Sequence, residues 1–314
     1  MIDFRYHLVS IISIFLALAV GIVLGAGPLQ STIGDTLGDQ VIALRSEKQT
    51  LNDKLTTSEK LVEASDEYET AVQPRVVQGR LTGHRVVTVV LPSADGSLAD
   101  SLENVVPQSG ATSTGTVTVS QDWFDPSQAA DREQAAKASA AALGLHTNAS
   151  GDALLDEVLT HLLVSRSETT SSAQRTAALK VLTDAGLVDS SADDLAPADL
   201  AVVVSGDFAG TQAAVDTRSD NIRSIVSGLA SGSNGTVVAG GEPVAAAGQP
   251  ASSDAVAAVR SKSETADVVA TVDHARAGNG PAVVVLAVEG LLDDRVGHYG
   301  ISSGATATVP RVLP

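Results

Sequence analysis

Apolar and polar positions fall into three successive textures along the chain. The first is an uncharged run from Leu8 to Gly27, bounded by His7 and Pro28, in which Ser10 and Ser13 are the polar side chains. About twenty such residues are what a helix needs to cross roughly 30 Å of hydrocarbon, so the pattern predicts a transmembrane anchor over 8–27 behind a leader of residues 1–7. A cleavable signal has a shorter apolar centre, usually about 7 to 15 residues, behind a clearly basic leader. Here Asp3 offsets Arg5, although Ala17, Ala19 and Gly25 to Gly27 are small enough to serve a signal peptidase. A buried core helix is the third reading, and length favours the retained anchor. Arg5 and the α-amine lie before the run, whereas Asp35 and Asp39 open the other side and no basic residue follows until Arg45. Positive charge stays on the cytoplasmic side, so the amino terminus is expected in the cytoplasm and the bulk of the chain in the periplasm.

The second texture is a heptad. With Leu37 at d, the seam runs Val41, Leu44, Lys48, Leu51, Leu55, Ser58 and Val62, the alternating spacing of a two-stranded coiled coil. A stalk is expected over 32–73, on the order of 60 Å long at 1.5 Å per residue, with Pro74 ending it. Lys48 and Ser58 weaken the seam and help fix its register. A single amphipathic helix folded back on the globular part is the alternative. Within the anchor, Ser13, Ala17, Gly21 and Gly25 recur every four residues, a face that lets two membrane helices approach closely. Small residues are common in membrane spans in any case. Together the two patterns point to a parallel homodimer through Ala17, Gly21, Gly25, Leu37, Val41, Leu44, Leu51, Leu55 and Val62.

The third texture, over 80–305 with a tail at 306–314, is that of an α/β domain. Val-rich runs at Arg85–Leu91, Thr116–Val119, Leu200–Ser205, Thr236–Gly240 and Ala266–Val272 read as buried strands. Between them, Asp125-Pro126 opens a helix to about Leu143, Ser150 caps Asp152–Ser165, Ser171 or Ser172 caps a segment ending at Gly186, and another helix spans Thr211 to Leu229. This alternation predicts a mostly parallel, Rossmann-like sheet with helices on both faces. Gly280–Gly297 has valines enough for a strand, but Pro281 suits a first helical position and the interval is too long for one strand, which favours a helix.

Composition narrows the chemistry. The absence of Cys removes disulfides, thiolate metal sites and Cys nucleophiles. With 37 Asp and Glu against 20 Lys and Arg, a formal charge of −17, no nucleic-acid partner is expected. Aromatics beyond the anchor are Tyr68, Trp123, Phe124, Phe208 and Tyr299, so Val, Leu, Ile and Ala must build the core. Binding sites in parallel sheets gather beyond the carboxyl ends of strands. The loops there offer Ser93, Asp95, Ser205, Asp207, Glu242, Asp273 and His274, but no GxSxG elbow, GxGxxG after the first strand or Walker loop. Turn-forming residues occupy such loops for structural reasons, so no catalytic residue and no cofactor is expected. The six histidines form no HxH, HxxH or HExxH pair; His274 and His298, with Asp nearby, are weak metal candidates. Cu(I) prefers thiolate and thioether ligands, and the only sulfur here is in Met1. Asn148-Ala149-Ser150 and Asn234-Gly235-Thr236 match the glycosylation sequon, as many chains do by chance.

The opening "MIDFRYHLVSIISIFLALAVGIVLGAGPL", the heptad directly behind it and the closing "VGHYG" (Val296–Gly300) resemble the actinobacterial MctB family, named for mycobacterial copper transport protein B. The resemblance covers both ends; the Ala/Ser-rich middle carries little that matches. It implies one membrane span, a periplasmic coiled coil and an α/β domain. It also takes in SteB-like proteins, which work with a membrane partner to control separation of daughter cells through a septal peptidoglycan hydrolase. An outer-membrane pore would need alternating strand segments of about ten residues and aromatic girdles, and the Val runs here are short and uniformly apolar. The expectation is therefore a non-enzymatic, anchored, dimeric interaction protein of cell separation, with a membrane-protein partner and an envelope hydrolase's coiled coil as its contacts. Copper export is the alternative and an envelope hydrolase the third reading.

Overall fold

Residues 4–25, 29–166, 170–240 and 251–311 are described in a computed structural model. Its contacts divide the chain into two compact units, Met1–Ala64 and Ser65–Pro314. The first holds helix α1 (Phe4–Gly25), whose side chains are all exposed, and most of helix α2 (Leu29–Val77). Among the described residues α1 is the one helix both long and apolar enough to cross a membrane. Helix begins at Phe4, inside the expected leader. Pro74 does not end α2, which continues to Val77. A proline removes only its own N–H bond, and Gln78 N still donates to the Pro74 carbonyl at 3.1 Å. Val77 and Leu81, both fully buried, hold this last turn in the core.

The second unit continues with β1 (Arg85–Val90), α3 (Gly96–Gln108), β2 (Thr112–Val119), two 3-10 turns at Gln121–Phe124 and Pro126–Gln128, α4 (Ala129–Leu143), α5 (Gly151–Leu163) and α6 (Ser172–Asp184). It proceeds through β3 (Val188–Ser190), β4 (Leu200–Val204), β5 (Phe208–Gly210), α7 (Gln212–Gly232), β6 (Gly235–Ala239), β7 (Ala251–Ser253), α8 (Ala255–Arg260), α9 (Ser263–Ala266), β8 (Ala270–Val272), α10 (Gly280–Leu292) and β9 (His298–Tyr299). Among the described residues the main sheet has seven strands in the order β3-β2-β1-β4-β6-β8-β9. Only β3 runs antiparallel to its neighbour; β5 and β7 form a separate antiparallel pair. Strands β4 and β6 are buried at every position, as central parallel strands must be. One face packs its Val87, Val89, Val203 and Val238 under helices that supply Leu155, Leu159, Ile225 and Leu229. The other face packs Val86, Val202 and Val237 against Leu102 and Val105 of α3 and Val284 and Val288 of α10.

Expected and observed elements agree most closely where a cap is present. Ser171 and Gln174 form a reciprocal capping box at α6, and Thr211 accepts from Ala214 N at α7. Ser150 occupies the cap position of α5 without a side-chain bond, and Asp125 caps the 3-10 turn, with α4 proper starting at Ala129. Other boundaries differ by more. Ala266–Val272 is not one strand: Ser263–Ala266 is helical and the strand shrinks to β8. Thr116–Val119 extends back to Thr112. Helix α10 stops at Leu292 rather than Gly297, because Asp294 turns left-handed (φ 56°) and Arg295 N closes back on the Gly290 carbonyl at 2.8 Å. Residues at the start of the expected tail pair with the sheet, Thr306 N donating to His298 O at 2.7 Å and Gly300 N to Ala307 O at 2.9 Å.

Candidate functional site at the carboxyl edge of the sheet

Strands β1 and β4 lie side by side while the chain leaves them in opposite directions, β1 toward β2 and β4 toward β6. In an open parallel sheet this reversal opens a crevice beyond the strand ends, where ligands bind. Here backbone fills it. Ala94 and Gly206 form an antiparallel bridge, and Leu91 N donates to Val204 O at 3.0 Å. A Cβ on Gly206 would run into the backbone of Pro92, Ser93 and Ala94, so only glycine permits this approach.

The loop residues singled out in the sequence take structural partners around this bridge. Ser93, left-handed at φ 65°, accepts from Gln121 Nε2 at 3.3 Å. Asp95 caps α3, accepting from Ser97 N at 2.9 Å and Ser97 Oγ at 2.7 Å, and pairs with Arg276 at 3.3 Å. Those bonds, the Ser97 hydroxyl first, hold its carboxyl below the usual carboxylate value. Ser205 Oγ accepts from Ala255 N at 2.8 Å, anchoring the start of α8. Asp207 is exposed, and Glu242 lies outside the described residues.

Asp273 is the centre of a buried network. Its carboxylate pairs with Arg260 at 2.7 Å and accepts from Ile301 N at 2.9 Å and Ser302 N at 3.0 Å. Burial alone would raise its pKa, but the arginine and the two backbone donors outweigh that and hold it low. Arg260 also donates to Thr271 Oγ1 at 2.8 Å and to the Tyr299 carbonyl at 2.9 Å. Gly300 lies against this carboxylate at φ 134°, where a Cβ would collide with it. The closing "VGHYG" stretch thus serves to seat β9 on a buried ion pair.

On α2, Val41, Leu44, Leu51, Leu55 and Val62 share one face and are each about half exposed. Gly21 and Gly25 of α1 have nothing within 4 Å of where a Cβ would stand, and Ala17 lies on the same helix. The side chain of Leu37, within α2, lies outside those described.

Comparison with known proteins places the chain in a family. The chain matches the family described as "Copper transport outer membrane protein, MctB" over residues 1–310. It belongs to the MctB family. It is 29% identical to "Copper transporter MctB" of Mycobacterium tuberculosis (strain ATCC 25618 / H37Rv) over 315 residues, covering 97% of this chain and 98% of that one. The protein of the same name from Mycobacterium leprae (strain TN) is 29% identical over 324 residues, 99% of this chain and 100% of that one.

The two candidate histidines differ in readiness to take a metal ion. His298 Nδ1 is 2.9 Å from Thr271 Oγ1, and its pKa is lowered by burial and then by Arg260, the Ala266 backbone opposing. It is a strand residue locked in the β8–β9 pairing. His274 has both ring nitrogens buried without a hydrogen-bond partner, its Nδ1 3.8 Å from Asp273 Oδ1, a carboxylate already committed to Arg260. Among the described residues no three His, Asp or Glu side chains converge to hold a metal ion. Two groups escaped the sequence reading. Asp254 caps α8, accepting from Ala257 N at 2.7 Å; burial first, then the charges of Asp207 and Asp273, push its carboxyl up to about 6. Its signal in the sequence was an Asp ahead of Ala255-Val256, an ordinary helix start. Arg218 had no local signal, because its surroundings come from three separate segments.

Proposed function

We propose that this member of the MctB family is a membrane-anchored, periplasmic interaction protein that pairs with a second copy along α2 and has no catalytic activity of its own. The observation that carries the reading is the row of exposed apolar residues at heptad spacing, Val41, Leu44, Leu51, Leu55 and Val62. Burying a Leu or Val side chain contributes about 1.5–3 kcal/mol, so a seam of this length favours association well beyond one exposed residue. A parallel pair would also set Lys54 of one copy against Glu59 of the other, flanking the seam with opposite charges. Ala17, Gly21 and Gly25 give the anchor a compatible close-approach face. Replacing Leu51→Asp places a charge in the seam, and sedimentation of the full chain in detergent should shift from dimer to monomer. A wild-type chain that is already monomeric overturns the reading.

The cellular role follows from the resemblance to SteB-like proteins: engagement of a membrane partner and of a septal peptidoglycan hydrolase, so that daughter cells separate. Copper transport is the second reading, favoured by the names of the relatives, with copper as cargo. A deletion strain grown with and without added copper distinguishes them. Unseparated cells at either concentration support the first, and copper sensitivity with normal separation supports the second.

A further inference from the structure

Beyond the carboxyl ends of β2 and β4 lies a cavity of about 400 Å³, lined by Phe124, Pro126, Phe208, Val215, Arg218 and Asn221 among others. It lies beside the closed crevice, tied to it by Gln121, whose amide reaches both Ser93 and Arg218. Phe124 comes from the 3-10 turn after β2, Phe208 from β5 and Arg218 from α7. The Arg218 guanidinium lies 3.6 Å from the centroid of the Phe124 ring and 5.9 Å from that of Phe208.

Arg80, Arg132, Arg223, Arg260, Arg276 and Arg295 each pair with a carboxylate. Among the described residues Arg218 has none within 4 Å. Among the described residues its Nε is buried without a partner, Nη2 reaches the Gln121 side-chain oxygen at 3.4 Å, and Nη1 makes no hydrogen bond. Burial lowers its pKa to about 10, still charged at neutral pH. A cation partly removed from water and left without an anion costs free energy unless something returns the charge. Stacking on two rings offsets part of that cost, but it leaves the guanidinium edge facing an open cavity.

We propose that this pocket binds a small organic anion whose carboxylate or phosphate meets Nη1 of Arg218 and whose flat apolar part rests against Phe208. An anion of bare inorganic size would leave the apolar wall of Phe208, Pro126 and Val215 wet, and a neutral aromatic molecule would leave the charge uncompensated. The site does not depend on the pairing of α2.

Phenyl phosphate is a suitable probe because it carries both features and dissolves in water. With the full chain in lipid nanodiscs and empty nanodiscs as blank, saturation-transfer NMR should show saturable binding, read on the ring protons, the probe's only carbon-bound protons. Inorganic phosphate should compete weakly. Arg218→Gln should weaken the probe by about tenfold or more, the loss of one charge-assisted contact, and Arg218→Lys by less. Phe208→Ala should weaken phenyl phosphate while leaving inorganic phosphate unchanged. Thermal melting of each variant reports whether it is folded, and Phe208→Ala gives an independent reading should Arg218→Gln unfold. No saturable binding by the wild type, or equal binding by a folded Arg218→Gln variant, overturns the proposal and leaves Arg218 as a structural cover for Phe124.

Discussion

Asp156 and Asp273 are both buried carboxylic acids, yet their surroundings push them in opposite directions. Asp156, on α5, is raised to about 6 by burial, with hydrogen bonds from Ser224 and Trp123 opposing and the nearby Asp152 adding repulsion. In the unfolded chain it ionises near 3.8. The folded state therefore takes up a proton that the unfolded chain does not between those values, and stability gained this way is complete below about pH 4 and lost as pH rises through about 6. The difference between those two values corresponds to about 3 kcal/mol. Asp156→Asn should remove that slope: urea unfolding should find the variant more stable than wild type at pH 7.5, by up to that amount less any hydrogen bond lost, and close to it at pH 4. Equal stability at pH 7.5 with an unchanged slope would show that the carboxyl is not strained. Asp273, held low by Arg260 and two backbone donors, contributes stability that is present above about pH 4 and lost on acidification. Arg260→Met leaves that carboxylate buried without its cation and should cost about 3–5 kcal/mol at pH 7, read from the urea midpoint.

At the scale of elements, helix α2 separates two sources of stability. Beyond Ser65 its last turns belong to the compact domain, where Val77 is fully buried. Earlier turns rely on local pairs such as Gln49 Nε2 to Asp53 at 3.0 Å, and an exposed apolar face that gains nothing from facing water. If α2 pairs in parallel, Lys54→Glu should weaken the dimer by setting like charges opposite each other, by about 0.5 kcal/mol for each of two symmetric contacts. Adding Glu59→Lys should restore it. Failure of the double variant to recover, measured by concentration-dependent sedimentation, would point to an antiparallel or shifted register. Helices with a strong start signal, such as α6 and α7, were legible in the residues themselves. Helix α3 is less legible: Leu98, Leu102, Val105 and Val106 have helical spacing, but the Ser, Asp and Gly before them have the composition of a loop. The strands β3, β5, β7 and β9 are two or three residues long, too short to show any period.

For the whole molecule, the uncharged span and its acidic exit make one directional prediction. A reporter active only in the cytoplasm, fused after Pro314, should be silent, and one active only outside the cytoplasm should give signal. Strong cytoplasmic signal would reverse the orientation. The domain beyond α2 is an open, mostly parallel seven-stranded sheet with helices on both faces, not a closed barrel, among the described residues. Among the described residues it brings no three His, Asp or Glu side chains together to hold a metal ion.

What the amino-acid sequence determined by itself was whatever depends on neighbours along the chain. The uncharged run, the heptad, the Val runs of β1, β4 and β6 and the caps Ser171 and Thr211 are periodicities or short-range bonds, written within one or two turns. Tertiary structure alone decided what joins distant segments. The strand order set β1 beside β4, and Gly206 then let backbone close the crevice in which a ligand would otherwise be expected. The same packing turned Asp95 and Asp273 from loop acids into a cap and an ion pair, the latter with the chain's closing "VGHYG" laid over it. It also gathered Phe124, Phe208 and Arg218 around one cavity. No local pattern encodes such meetings, because the energy that selects them comes from burying residues far apart in sequence against one another.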